Sequence, residues 1–140
     1  MTSIHVCAAI ILDPDQRLLM VRKRGTTAFL QPGGKPEAGE TPVQTIAREL
    51  AEELRLQLAP ERFLPLGRFE EQAANEPGFR VIAEAFAVHL TVTEAASATA
   101  SAEIAEARWL TPAEALEVDL APLSRHQFLP LVMSGTLPSH

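Results

Sequence analysis

Residues 41–56, which read TPVQTIARELAEELRL, constrain this chain more than any other stretch. Thr41, Pro42 and Gln44 spell a helix start: a hydroxyl that can cap, a proline suited to the first helical position, and a glutamine that completes a Thr-x-x-Gln capping box. Val43, Ile46, Ala47, Leu50 and Leu54 then recur on one face, which needs a sheet to cover it. On the other face Glu49, Glu52 and Glu53 stand at i, i+3 and i+4, so a 3.6-residue repeat sets three carboxylates side by side. Such groups repel unless a cation lies between them, and hard oxygen ligands suit Mg2+ or Mn2+. The plainer reading is a solvated helix face whose glutamates pair with Arg48 and Arg55.

The segment just before the helix decides between these readings. Gln31-Pro32-Gly33-Gly34-Lys35-Pro36 is expected to form a turn whose two glycines let backbone approach a ligand, and Gly39-Glu40 leads back to the cap. A phosphate-cradling P-loop does not fit, because Pro36 stands where that motif needs Ser or Thr and its first glycine is missing. Taken together, Gly34, Glu40, Arg48, Glu49, Leu50, Glu52, Glu53 and Leu56 follow the pattern G-x5-E-x7-R-E-U-x-E-E-x-G-U, with U aliphatic. Residues 34–56 thus resemble the Nudix box, and the chain resembles the Nudix hydrolases of MutT-like type. One position departs: Arg55 stands where the pattern has glycine, which bears on the helix exit more than on the chemistry.

The resemblance implies an α/β (α+β) fold in which a mixed β-sheet is sandwiched between α-helices. It also implies cleavage of a nucleoside diphosphate linked to another group, by water attack at phosphorus with the help of Mg2+ or Mn2+. On that basis Glu49, Glu52 and Glu53 are the metal ligands, and the Gly33 carbonyl completes their shell. Arg48 orients one of the carboxylates, and Glu40 supports the ligands without joining them. The general base is either Glu52, on the helix, or Glu103, on a later loop that follows a flexible Ala/Ser stretch; Glu106 is the fallback. A Nudix-fold module that binds a nucleotide without turning it over is the alternative, and the complete set of charged box residues favours the enzyme.

Other residues invite a role of their own. Arg22 and Arg24, with Lys23 between them, and Lys35 on the glycine turn are candidates for holding phosphates. Glu84 alternates with Ile82, Phe86 and Val88 on a strand otherwise apolar on both faces, so it must be paired, protonated or facing a cleft. Cys7 lies in an apolar run and reads as core, as does Trp109, and His5, His89, His126 and His140 lack metal-ligand spacing.

At 140 residues with 46% hydrophobic and 21% charged, the chain is expected to form one globular domain over residues 1–140. It opens with a hairpin: Ile4–Leu12 as a strand, a turn at 13–16, and Arg17–Lys23 returning. Residues 28–31 read as a short strand. Phe63–Glu71 and Phe79–Val92, joined through Asn75-Glu76-Pro77-Gly78, are expected to be the central strands of the sheet. Ala95–Ala102 reads as a loop, Arg108–Leu110 as a short strand, Thr111–Glu114 as the start of a short helix, and 122–133 as a last helix that Pro130 kinks or shortens.

No stretch approaches the roughly 20 apolar residues of a membrane span, no signal peptide is evident, and a cytoplasmic location is expected. The formal net charge of −6 argues against nucleic acid as a partner but not against a small nucleotide substrate, since bound cations reverse the local field. Oligomeric state is not fixed by the sequence, and a homodimer stays open. The substrate is approached by exclusion. There is no tyrosine to mark a dinucleoside polyphosphate hydrolase, Glu70-Glu71-Gln72-Ala73 lacks the proline of ADP-ribose hydrolases, and Gln31 replaces the phenylalanine that the coenzyme A type places before Pro-Gly-Gly. A nucleoside triphosphate remains, with nucleotide sugars and ADP-ribose as alternatives.

Overall fold

The computed structural model describes residues 2–73 and 77–138. Strand β1 (Thr2–Leu12) is buried at every position from Cys7 to Leu12, and this accounts for its unbroken apolar run. A strand apolar on both parities belongs inside a sheet covered on both sides. Around it the sheet runs β4-β5-β1-β2-β6, with β2 at Leu18–Lys23, β4 at Leu64–Gln72, β5 at Phe79–His89 and β6 at Ile104–Leu110. The parallel pair is β1 with β5, in register from Thr2 and Phe79 to Leu12 and His89.

The expectation that Phe63–Glu71 is central needs correction. β4 is an edge strand, and its alternating half-buried and exposed residues are the signature of one solvated face. The second expected strand ends at His89, because Thr91 caps a helix that begins at Val92. Asn75 and Glu76 of the expected connection, like His140, lie outside the described residues, while Pro77 and Gly78 turn into β5.

The hairpin expected at the start is present, but β1 and β2 pair only at Leu12 and Leu18 and then part. The glycine segment fills part of that opening. Gly33–Gly34, read from sequence as a turn, is a two-residue strand β3 opposite Ala8 and Cys7, and residues 28–31 make only single bridges to Val21 and Leu120. Contact this close requires glycine: a β-carbon on Gly33 would overlap the Cys7 carbonyl.

Helix α1 (Pro42–Leu54) starts as expected, with Thr41 and Gln44 bonded reciprocally in a capping box. Its Ile46, Leu50 and Leu54 pack on Cys7, Ala9, Ile11, Phe86 and Val88, which strand alternation places on the same face of the sheet. The opposite face carries Ala8, Ile10, Leu12, Met20, Ala83 and Ala85 under Ala115, Phe128 and Leu129. The sheet is therefore mixed and lies between helices, as the resemblance implied.

Two segments differ in detail from the sequence reading. Val92–Ser97 forms a short helix α2, so the Ala/Ser stretch is helical in its first part; the Thr91 and Glu94 capping box explains why. Helix α3 (Pro112–Ala115) has the expected capping box from Thr111 and Glu114. The last helix, residues 122–133, is continuous but widens into a π-turn over Ser124–Phe128 before α4 (Leu129–Met133). Pro130 has no N–H to give and its ring crowds the preceding turn, and a wider turn relieves that crowding.

Candidate active site

Arg48, in the middle of α1, ties the box together. Its Nε and one terminal nitrogen grip both oxygens of Glu40, at 2.6 and 3.0 Å, and the same terminal nitrogen donates to the Lys35 carbonyl at 3.0 Å. Glu40 also accepts from the Glu37 amide and the Thr45 hydroxyl, so it anchors the loop to the helix. With Arg48 as the main cause, the Glu40 carboxyl is held down at about 2. The other terminal nitrogen of Arg48 lies 3.0 Å from Glu52 and 3.4 Å from Glu49.

Glu49 and Glu53 face the sheet side of the loop. Glu49 packs so closely on Gly34 that a β-carbon there would overlap its carboxylate. Glu53 is only 4% exposed, accepts the Gly33 amide at 3.2 Å and lies 3.9 Å from the Lys23 ammonium. Burial pushes both carboxyls up, Glu53 to about 7, and Glu103 adds its negative charge to each. Glu52 is different: it turns to Arg48 and is 58% exposed.

The three glutamates are therefore not drawn together as their helical spacing suggested. Among the described residues no three acidic, histidine or cysteine side chains converge tightly enough to enclose an ion. The physical reason is repulsion, which leaves Lys23 beside Glu53 and Arg48 beside Glu52 as countercharges. The donors nonetheless suit a divalent cation: they are hard oxygens, and burial disfavours the charge of buried Glu53 and half-buried Glu49. Bringing in Glu52 costs little, because an exposed i, i+4 ion pair is worth about 0.3–0.5 kcal/mol.

Glu103 lies in the turn just before β6, at the rim of the same cavity as Glu49 and Glu53. The loop before it is fastened rather than free. Thr99 and Ser101 donate their amides to the carbonyls of Leu54 and Glu53, the otherwise orphaned end of α1, and the Arg24 amide donates to the Glu103 carbonyl. The Arg24 guanidinium is bonded to the Ala102 carbonyl, so Arg24 braces this loop at the cavity wall.

The remaining candidates separate. Lys35 and Lys23 line the cavity. Arg22 points elsewhere, to Glu106 and the Thr26 carbonyl. Glu84 is paired across the strands with Arg68 at 3.0 Å and lies outside the cavity lining. Cys7 is buried at the cavity wall with its thiol pushed up, chiefly by burial.

The cavity itself has a volume of about 790 Å³. It follows the gap between β1 and β2, from the carboxylates of α1 to Leu123, Ser124 and Phe128 of the last helix. Its far part is apolar, with Ile4, Val6, Ala8 and Val81 on the sheet. Gln31 and Ser124, both buried there, were not singled out by sequence as site residues. Gln31's place beside Pro-Gly-Gly was the available signal.

No curated protein matches the chain significantly in sequence. Solved structures do match it in fold. The MutT protein from Methanosarcina mazei Go1 superposes with a TM-score of 0.75 at 20% identity, over 96% of each chain. The E. coli dihydroneopterin triphosphate pyrophosphohydrolase gives 0.74 at 21%, over 93% of this chain and 95% of that one. The NUDIX domain of Shewanella oneidensis NrtR, solved with ADP ribose, gives 0.75 at 16%, over 97% and 90%. At these identities the likeness is one of fold. The family model named NUDIX domain matches residues 1–132, nearly the whole sequence. The chain belongs to the NUDIX domain family and is a hydrolase of that family.

Proposed function

We propose that the protein is a divalent-cation-dependent pyrophosphohydrolase whose substrate is a nucleoside triphosphate. The observation that carries this reading is one continuous cavity of about 790 Å³ with acidic groups at one end and an apolar slot at the other. A polyphosphate needs the first and a nucleoside the second.

Glu49, Glu52 and Glu53, with Gly33 beside them, would hold the cation, Mg2+ or Mn2+. When bound it would neutralise phosphate charge and lower the pKa of a water molecule. The other steps belong to side chains. Lys23, freed from Glu53, is placed to hold a phosphate oxygen, and Lys35 stands at the same rim. Arg48 keeps Glu40 and the Lys35 backbone in place, so the loop that carries Gly33 and Gly34 is fixed before substrate arrives. Glu103 is the proposed general base, taking the proton from the attacking water as oxygen bonds to phosphorus and the anhydride oxygen leaves with its electron pair. Its loop is tied to the end of α1, so this base is positioned in advance and needs no swing of the chain.

A chromatographic screen for release of nucleoside monophosphate from nucleoside triphosphates, nucleotide sugars and ADP-ribose, with Mg2+ and with a chelator, tests the reading. It should find cation-dependent release greatest with a nucleoside triphosphate. Glu103→Gln should lower kcat about 10^2-fold and leave KM within a few-fold. Release unaffected by the chelator, or only from a nucleotide sugar or ADP-ribose, would count against it.

A further inference from the structure

The far end of the cavity contains a polar pair inside an apolar slot. Gln31 is 5% exposed and Ser124 2% exposed, and both line the cavity. The Ser124 hydroxyl donates to Gln31 Oε1, joining residues 93 apart in sequence. Gln31 Nε2 then points to the sulfur of Met20 at 3.4 Å. This orientation is the sensible one, because the reverse would press the amide oxygen against a lone-pair-bearing thioether. Among the described residues that sulfur is the one acceptor recorded for the two N–H groups of the amide. A thioether is a weak acceptor, so a buried donor is left with capacity to spare.

The helix at this point is also irregular. Ser124 and Phe128 bound the π-turn, where the Leu129 amide reaches back to the Ser124 carbonyl, and such turns recur at functional sites. Here the turn presents Ser124 and Phe128 together to the slot. Phe128 is held in turn by an edge-on contact with Phe69, centroids 5.2 Å apart.

From the juxtaposition of a buried carboxamide with spare donors, a hydroxyl with spare lone pairs and an apolar slot, we infer that Gln31 and Ser124 read the nucleobase of the substrate. The amide supplies a donor and the hydroxyl oxygen an acceptor. Adenine and cytosine present ring acceptor and exocyclic N–H in the opposite order to the ring N–H and carbonyl of guanine and uracil, so a fixed pair of this kind favours one order over the other. Val6, Val81 and Phe128 would enclose the ring faces. The assignment rests on the nucleotide reading above and adds which residues set its selectivity.

The test is kcat/KM for ATP, GTP, CTP and UTP, measured with Mg2+ for the parent, Gln31→Leu and Ser124→Ala. The parent should rank the four bases. Gln31→Leu should lose roughly 5- to 100-fold on the best base, the range for a lost pairing contact, and much less on the poorest, compressing the ranking. Ser124→Ala, which is nearly isosteric and should fold in any case, should compress it in the same direction but by less. Equal losses on all four bases, unchanged ratios in Ser124→Ala, or a parent indifferent to base would overturn the inference while leaving the hydrolase reading intact. A parent that releases nucleoside monophosphate from none of the four would overturn both.

Discussion

Arg55 ends α1 in the left-handed region, at φ 58° and ψ 31°, where glycine has no β-carbon to strain. The chain thus keeps the backbone shape of the motif with a residue ill suited to it, and Arg55→Gly should stabilise the fold by about 1 kcal/mol, read as a higher urea midpoint at unchanged slope. The carboxylates of the box were legible because their spacing is local. What sequence could not show is where each one turns. Glu52 and Glu53 are neighbours in the chain, yet one is exposed against Arg48 and the other buried against Gly33 and Lys23, because the sheet covers only one side of the helix. Glu84 illustrates the converse: it looked out of place on an apolar strand until β4 brought Arg68 opposite it.

At the level of elements, capping signatures were the most readable feature. Thr41 and Thr111 begin helices as read, and the same signature at Thr91 and Glu94 marks α2, which was overlooked because the Ala/Ser composition after it suggested a loop. Strand order was not readable, since pairing joins distant segments; the place of β1 at the centre follows from burial on both faces. The start of α2 is fastened to the turn before β4 by Arg62, which binds both oxygens of Glu94 at 2.7 Å and the His89 carbonyl at 3.0 Å. Arg62 is the leading cause that holds the Glu94 carboxyl at about 2, below its ordinary 4.5. A depressed folded-state pKa stabilises the fold above the unfolded value and loses that contribution as pH falls through the folded value. Glu94→Gln, which can still cap, should therefore cost about 1 kcal/mol at pH 7, allowing for solvent around a partly exposed pair. The gap between parent and variant should shrink below about pH 4.5 and close near pH 2, as followed by urea unfolding at each pH.

Across the whole molecule, one structural event creates the site. β1 and β2 separate after a single paired position, β3 enters the gap, and the cavity extends from the carboxylates of α1 on one side of the sheet to the π-turn of the last helix on the other. Among the described residues no helix is long and apolar enough to cross a membrane. The box revealed the acidic end of this cavity from sequence, but its apolar end is assembled from β1, β5 and the last helix, and no local pattern announces it. The central claim is that Glu49, Glu52 and Glu53 of α1 hold a cation on which turnover depends. The most direct test is the Mg2+-dependent turnover of Glu53→Gln, with its fold verified by circular dichroism. The account predicts a loss of roughly 10^2-fold or more with the fold intact; a folded variant that turns over at close to the parent rate would contradict it.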